Sequence, residues 1–487
     1  MGIIHGPRYD ASIREVVMLQ RGFMGAFDIK AGGGAFARSS VANATSVRAD
    51  LQPRKNHLER LLSVVCDVRP GEGVGALILT INLFTLLGAY YLLKTVRESL
   101  ILAEGGAEVK AYSSAAQAVL LLGVVPLYGW IATHLNRNRL LRWTTLFFAS
   151  NLLIFYFVGQ SGARIGIVYY IWVGIFNVFI VAQLWAFATD LFSQEQGKRL
   201  FPLLGVGASA GAVAGAWAAG NLIKPLGSYK IILIAVVALC LCAALTRLAG
   251  YIITKRGGEL EKKKDQTPLS SEGGFQLLLS DRYLMLIAIL TVLLNIVSVS
   301  GDFIFGKLLV DQTDRVVGTA VSLMRARKAY IGSYYATYYE WTNTVSFIIQ
   351  AFLVSRIFKR IGVRGSMFVL PVISLATFVT ILVNPILHVV RILKIGENST
   401  NYSLQNTVRA ALLLPTSREA KYKAKAAIET FCVRLGDVLQ AGVIFIGTSL
   451  HFGVQAFTGM TLAITLLWLF VAFRLYQEHK RRVPEFH

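Results

Sequence analysis

The chain of 487 residues is strongly apolar and strongly basic, with 55% hydrophobic residues, 16% charged residues and a formal net charge of +22. Its mean hydropathy of +0.56 argues against a water-soluble domain, in which about a quarter of the residues are charged. The Lys and Arg residues are scattered in short clusters between apolar stretches, which argues against a nucleic-acid-binding protein. The composition favours a multi-pass membrane protein surrounded by a lipid bilayer.

The chain begins with residues 1–56, which mix Arg, Gly, Ser and Ala without the apolar core of a signal peptide, and we interpret them as a disordered extension. Apolar stretches of about 20 residues, long enough to cross a bilayer as a helix, then recur along the sequence. Six of them precede a polar linker at 253–281 and six follow it, which predicts an all-α protein with two six-helix bundles at 57–252 and 282–487. The predicted spans lie near 74–93, 111–132, 140–159, 165–188, 200–222, 229–252, 283–309, 329–355, 364–382, 385–403, 426–449 and 453–475.

The charges in the loops predict the orientation of the chain in the membrane. Lys and Arg resist translocation, and they cluster in alternate loops, for example at 137–142 and 480–482. We therefore expect both termini to be cytoplasmic. One cluster, formed by Arg325, Arg327 and Lys328, is an exception because it falls on the outer side.

A sequence pattern recurs in the two halves at a shift of roughly 224 positions. The pattern Ser-x-Glu-x-x-x-Arg at 193–199 precedes the fifth predicted span, and Ser-x-Glu-x-x-x-Lys at 417–423 precedes the eleventh. Repeats at half-chain spacing are typical of duplicated transporter bundles, so we expect the two bundles to be related by pseudo-symmetry. Asp190, just before the first pattern, is expected to cap the next turn or to pair with Lys198 or Arg199.

Charged residues at membrane depth are costly enough to require a partner or a water-filled cavity. Lys94, Arg97 and Glu98 lie at the outer end of the first predicted span. Because Lys94 and Arg97 stand three residues apart, both can face one vestibule and offer positive charge to an anion. The alternative is that these side chains extend to the membrane interface. Further on, Asp302 and a group of tyrosines at 334–339 either line the same pathway or lie at the interface.

The later spans carry charges and the fifth span carries small residues. Span 385–403 contains Lys394 and Glu397, and it is expected to be broken or to line water. In the eleventh span, Arg434 and Asp437 stand at i, i+3, which suits a structural ion pair as well as a substrate contact. In the fifth span, glycines recur every four residues and form a face that allows close helix packing and sliding. These glycines are Gly207, Gly211 and Gly215.

No catalytic residue, metal site or cofactor site is expected. The four cysteines are scattered without metal-like spacing, and the chain has no nucleophile elbow and no phosphate-cradling loop. The cationic excess in the spans favours a solute with several negative charges, such as a phosphate ester. The candidate substrate-binding residues are Lys94, Arg97, Arg409, Lys423, Lys425 and Arg434. The candidate gating or structural residues are Glu98, Asp190, Glu195, Lys198, Arg199, Gly207, Gly211, Gly215, Glu429 and Asp437.

Three blocks of the sequence resemble the non-mitochondrial ATP/ADP translocases of plastids and intracellular bacteria. The first is YLLKTVRESL at 91–100, and the second is WAFATDLFSQEQGKRLFPLLGVG at 185–207, which is the most specific of the three. The third block extends from 402 to 436 and contains the matching run of Pro, Lys, Ala, Arg and Gly residues. Together the blocks suggest a resemblance across roughly 58–475.

The resemblance implies a twelve-helix carrier of the major facilitator type, located in a bacterial cytoplasmic membrane, that exchanges ATP for ADP. It also implies that Lys94, Arg97, Arg409 and either Lys423 or Lys425 contact phosphates. The chain departs from the family where Arg97 and Glu98 replace a Lys and Asp pair, and where Asp437 stands in place of a Lys. These departures leave two alternatives open, namely a carrier of another anionic metabolite or lipid, and a membrane scaffold that transports nothing.

Overall fold

The computed structural model describes residues 55–64, 66–134, 137–255, 274–417, 420 and 424–483. Over these ranges the regular structure is helical, and none of these residues lies in a β-strand. The predicted all-α fold class is confirmed. Most of the expected N-terminal extension and most of the expected linker lie outside the described residues, so both remain predictions.

The N-terminal half begins with the helices that contain the first six predicted spans. Predicted spans 74–93 and 111–132 are confirmed as two helical segments, which follow each other without a loop as the two arms of one broken helix. Its continuity is interrupted at Gly106, where φ is 78° and ψ is −173°, a conformation that glycine adopts at little cost. The helices are α1 (His57–Leu62), α2 (Gly73–His134), α3 (Arg137–Gln160), α4 (Gly166–Leu191), α5 (Gln194–Leu226) and α6 (Ser228–Lys255).

The C-terminal half is built from shorter helices joined by π-helical turns. The helices are α7 (Gly274–Ser280), α8 (Arg282–Val316), α9 (Met324–Ile348), α10 (Val354–Ser366), α11 (Val369–Val383), α12 (Leu387–Thr400), α13 (Asn406–Leu412), α14 (Lys425–Ala427), α15 (Val433–Ser449) and α16 (Val454–Arg482). A π-helical segment Ile349–Leu353 joins α9 to α10, Asn401–Gln405 joins α12 to α13, and Ile428–Cys432 joins α14 to α15. The charged span at 385–403 is therefore a helix that ends in a π distortion.

Fewer helices than the twelve predicted spans qualify as membrane spans by length and composition alone. Within the described ranges, seven helices are long and apolar enough to cross a bilayer, and a bent pair at 321–366 and 369–383 raises the number to eight. Helix α2 is counted once although it contains two predicted spans, and the spans at 329–355 and 364–382 form the bent pair that is counted once. The span at 140–159 is not among those that qualify, and the span at 385–403 forms a helix of only 14 residues.

The two halves meet along a small number of helices. Helix α2 packs on α4, α5 and α6 within its own half, and α8 packs on α15 and α16 within the other half. Between the halves, α9 contacts α2 and α5, and α15 contacts α2. Helices α2 and α9 therefore lie at the boundary, where their polar side chains can face a pathway between the bundles.

The glycines of the fifth span lie directly against the backbone of α2. An added Cβ at Gly211 would be 2.2 Å from the carbonyl oxygen of Phe84, and one at Gly215 would be 2.3 Å from that of Gly88. At Gly207 the corresponding distance to the Thr80 carbonyl oxygen is 2.8 Å. The two helices therefore touch backbone to backbone, with the four-residue period that the sequence shows.

Candidate functional site

The ammonium group of Lys94 lies among tyrosine rings at the boundary between the halves. Its Nζ is 4.2 Å from the ring centroid of Tyr339, 5.2 Å from that of Tyr91 and 6.0 Å from that of Tyr402. The centroid of the Tyr90 ring lies 5.9 Å from the same Nζ. Aromatic faces attract a cation but carry no net charge. Within the part of the chain that is described, no carboxylate lies within 4.0 Å of this lysine.

One turn further along α2, a single carboxylate balances two cations. Glu98 is fully buried, and its Oε1 accepts a hydrogen bond of 2.5 Å from Arg97 Nη2. Its Oε2 lies 2.7 Å from the Nζ of Lys110, which comes after the break at Gly106. The hydroxyl of Tyr339 also donates to Oε1, at 3.2 Å. Tyr339 therefore contacts both this ion-pair group and Lys94.

The C-terminal half contributes a second charged group, in which two carboxylates contact one cation, so that negative charge is in excess. Lys394 on α12 is 0% exposed, and its Nζ lies 2.9 Å from Glu397 Oε2 and 3.3 Å from Asp302 Oδ1. Glu397 is fixed further by a 2.7 Å hydrogen bond from the hydroxyl of Ser374. The Asp302 side chain is 43% exposed.

We call these two groups together the central cluster. Asp302 and Tyr402 are partly exposed, Tyr402 to 46%, and we call the side of the cluster on which they lie its open side. The cluster holds four cations and three carboxylates, which leaves an excess of one positive charge. Its members are Lys94, Arg97, Glu98, Lys110, Asp302, Lys394 and Glu397, with Tyr90, Tyr91, Tyr339 and Tyr402 around Lys94.

Two ion pairs join the halves on the side of the cluster where α2 breaks. Lys328 Nζ on α9 lies 2.6 Å from Glu104 Oε1, and both side chains are largely buried. Lys307 Nζ on α8 lies 2.7 Å from Glu108 Oε1. These pairs close the boundary between the halves at that end. The charges of Glu104 and Glu108 thus serve to hold the two halves together.

The remaining predicted binding residues lie apart from the central cluster. Arg409 on α13 donates to Asn406 Oδ1 at 3.4 Å, and its buried Nε has no hydrogen-bond partner among the described residues. Lys425 forms a loose pair with Glu429, 3.8 Å apart, and both are well exposed. Lys423 lies outside the described residues.

Arg434 and Asp437 form the ion pair that their spacing suggested, with Nη1 and Oδ2 3.3 Å apart. Asp437 is buried and also accepts a 2.8 Å hydrogen bond from Asn295 Nδ2, so it links α15 to α8. The pair therefore helps to hold α15 against α8.

The charged residues at the start of α5 make contacts near the beginning of α2. Arg199 Nη2 lies 2.8 Å from Glu72 Oε1, where burial opposes the carboxylate charge but the hydrogen bonds from Arg199 outweigh it and hold the pKa of Glu72 below its ordinary value. Glu195 lies 4.0 Å from Arg69, and Lys198 is exposed. The side chain of Asp190, the expected partner of Arg199, lies outside the described residues.

Several residues of the site were not found from the sequence. Lys110 was missed because it follows Glu98 by twelve positions, and only the break at Gly106 brings the two together. Glu104 and Lys328 were missed as partners because they come from different halves. The available signal was the presence of these charges between apolar segments, where an unpaired charge is costly.

The family model and the similar sequences both concern ADP,ATP carriers. The family model described as TLC ATP/ADP transporter matches residues 166–479. ADP,ATP carrier protein 1 of Chlamydia muridarum is 23% identical over 345 residues, which cover 61% of this chain and 62% of that protein. The chain thus aligns with less than two thirds of this relative. ADP,ATP carrier protein 5 of Rickettsia bellii is 20% identical over 484 residues, covering 82% of this chain and 93% of that protein.

Solved structures support the fold at lower identity. The nucleoside transporter NupG aligns with a TM-score of 0.60 and 12% identity, over 82% of this chain and 99% of that one. A bacterial homologue of the iron transporter ferroportin aligns with a TM-score of 0.59 and 14% identity, over 83% and 98% of the two chains. These likenesses confirm the predicted major facilitator fold and leave the solute open. The match of the family model to most of the chain shows that the chain belongs to the TLC ATP/ADP transporter family.

Proposed function

We propose that this chain is a carrier that exchanges ATP for ADP across a bacterial cytoplasmic membrane by alternating access. Its family and the names of its relatives in Chlamydia and Rickettsia support a nucleotide as the solute. The observation that carries the proposal is Lys94, a cation that lies beside the open side of the central cluster without a contacting carboxylate. A phosphate group is the natural partner for such a cation.

The residues of the central cluster have distinct roles in this proposal. The ammonium of Lys94 binds the phosphate chain directly, and Arg97 contributes through its guanidinium, part of which is engaged by Glu98. The ring of Tyr402 is half exposed beside Lys94, which suits stacking against the base. Arg409 and Lys425 extend the positive path toward the cytoplasm, and Lys423 stays a binding residue expected from the sequence alone. Arg434 stays with Asp437 as a structural pair.

The expected orientation places the termini in the cytoplasm and Gly106 at the outer side. Under that orientation, the Glu104–Lys328 and Glu108–Lys307 pairs close the outer side of the boundary between the halves. The ion pairs Glu72–Arg199 and Asp281–Arg482 each lie within one half, at the cytoplasmic end. These contacts support an inward-facing arrangement, from which an outer opening requires the two inter-half pairs to separate.

The proposal is tested by uptake of labelled ATP into proteoliposomes that contain the purified full chain. We expect uptake that is faster into vesicles loaded with ADP than into empty ones. We expect Arg97→Ala to reduce the rate by about tenfold or more, because a cation that contacts the phosphate is lost. The matched control is Lys224→Met, since Lys224 is exposed at the end of α5. Absence of ATP uptake by the folded wild-type protein would refute the proposal.

A second candidate is a carrier of the same fold for an anion with fewer charges. Asp302 favours it, because this carboxylate faces the same cluster and reduces the positive excess available to a polyanion. A panel of ATP, a nucleoside monophosphate and a phosphorylated sugar in the same vesicles separates the two candidates. Preferred uptake of a singly phosphorylated solute would favour the second.

A further inference from the structure

Lys94 differs from the other cations of the central cluster in its contacts. Arg97 and Lys110 both contact Glu98, and Lys394 contacts Glu397 and Asp302. Lys94 has only tyrosine rings around it, and the nearest centroid is 4.2 Å from its Nζ. Lys94 is therefore the one cation of the central cluster that no carboxylate of the described residues contacts.

Both carboxylates near Lys94 are held by other cations. Glu98 contacts Arg97 and Lys110, and the Oδ1 of Asp302, on the other wall, is 3.3 Å from Lys394 Nζ. Lys394 is itself fixed by Glu397 at 2.9 Å, and Glu397 by Ser374. Asp302 therefore stays with the C-terminal half while Lys94 stays with the N-terminal half.

Alternating access requires the two walls to close over the central cluster before the other side opens. Lys94 is only 9% exposed in this structure, and closing the walls removes its remaining access to water, which strongly disfavours a charge without a counter-ion. The tyrosine rings offset part of this penalty and a phosphate offsets more of it. The closed state is therefore accessible to the loaded carrier and costly for the carrier without a passenger.

We propose that Lys94 couples the two directions of transport, because its uncompensated charge prevents the carrier from reorienting until an anion is bound. This inference rests on the proposed exchange function and adds a residue that enforces it. One side chain then determines how strongly ATP uptake depends on ADP inside the vesicle. On the same variant, this dependence can be measured separately from the affinity for ATP.

The test is the ratio of ATP uptake into ADP-loaded vesicles to uptake into empty vesicles. For the wild-type carrier we expect a ratio of about tenfold or more. Lys94→Met leaves three cations and three carboxylates in the cluster, and we expect its ratio to fall to within about twofold of one, with a raised KM. Lys224→Met, which removes an exposed lysine, should keep the wild-type ratio.

A second pair of variants tests the same idea without removing Lys94. The ring of Tyr402 is 6.0 Å from Lys94 Nζ and half exposed, so a carboxylate at that position can reach the ammonium. Tyr402→Glu should lower the ratio as Lys94→Met does. Tyr402→Gln loses the same ring and adds a side chain of the size of Glu without its charge, so its ratio should stay clearly above that of Tyr402→Glu.

The outcomes are distinguishable. A Lys94→Met carrier that still transports ATP and keeps the wild-type ratio overturns the inference and leaves the exchange function intact. If that variant does not fold, as judged by gel filtration in detergent, the comparison of Tyr402→Glu with Tyr402→Gln decides, and equal ratios overturn it. A folded wild-type carrier that moves no ATP overturns the proposed function, and the inference is overturned with it.

Discussion

At the scale of single residues, Glu98 organises most of the charge on the N-terminal side of the site. Its carboxylate is fully buried and lies against Arg97, Lys110 and Tyr339. Removing one partner of a buried ion pair leaves an uncompensated charge and costs about 3–5 kcal/mol. Two cations here depend on the same carboxylate, so its loss affects both of them.

We therefore expect Glu98→Gln to lower the free energy of unfolding by about 3 kcal/mol or more, because Arg97 and Lys110 lose their shared counter-ion. The double variant Glu98→Gln/Lys110→Met removes the repulsion between the two cations and should recover part of this stability. Thermal unfolding in detergent, followed by tryptophan fluorescence, measures both variants. Equal stability of the single and double variants would contradict the shared role of Glu98.

Sequence reasoning identified part of this site. Lys94 and Arg97 were found because charges inside an apolar run are locally visible. The partner of Glu98 could not be found, because the contact with Lys110 depends on a change of backbone direction at Gly106. The pairing of Lys394 with Asp302 depends on the packing of α12 against α8, which no local pattern specifies.

At the scale of helices, α2 and α5 contact each other backbone to backbone. Each of the three glycines on α5 faces a backbone carbonyl of α2, at Thr80, Phe84 and Gly88. Small residues at such contacts permit dense packing of helices that have no hydrophobic driving force between them in lipid. The contact therefore fixes the position of α2, and with it the position of Lys94.

We expect Gly211→Ala to lower the thermal stability of the protein, because the added Cβ would lie 2.2 Å from the Phe84 carbonyl oxygen and force the helices apart. A cost of about 1–3 kcal/mol is typical of overpacking. The control is Gly123→Ala on α2, where an added Cβ meets nothing within 4 Å. Unchanged stability of Gly211→Ala, measured by thermal unfolding in detergent, would show that the contact is looser than described.

The helices themselves were largely predictable, because the length and hydrophobicity of an apolar stretch are local properties of the sequence. Most residues of the twelve predicted spans are helical, although the span 364–382 crosses the bend between α10 and α11. The separation of 74–93 from 111–132 is confirmed by the break at Gly106, and the polar residues between the two spans form ion pairs inside the protein. The three π-helical segments were not predicted, because they depend on how the helices pack.

At the scale of the whole molecule, the two inter-half ion pairs determine which side of the carrier is closed. Lys328 and Glu104 come from α9 and α2, and both are largely buried. Lys307 and Glu108 form a second and more exposed connection close by. Opening the carrier on this side requires both pairs to separate, so their strength sets the balance between the two conformations.

We expect Glu104→Lys to reduce transport strongly, because two ammonium groups would then face each other at a largely buried contact. Lys328→Glu should have a similar effect. The double variant Glu104→Lys/Lys328→Glu restores opposite charges and should recover a substantial part of the wild-type uptake of labelled ATP. Failure of the double variant to exceed both single variants would show that this pair does not join the halves during transport.

The three π-helical turns at 349–353, 401–405 and 428–432 all belong to the C-terminal half. Each one widens a helix locally and loosens its hydrogen-bond ladder, so those helices can bend where a regular helix resists. The N-terminal half, by contrast, is anchored by the glycine face of α5 against the main chain of α2. We therefore expect the helices of the C-terminal half to bend during transport, while the N-terminal half moves as a stiffer unit.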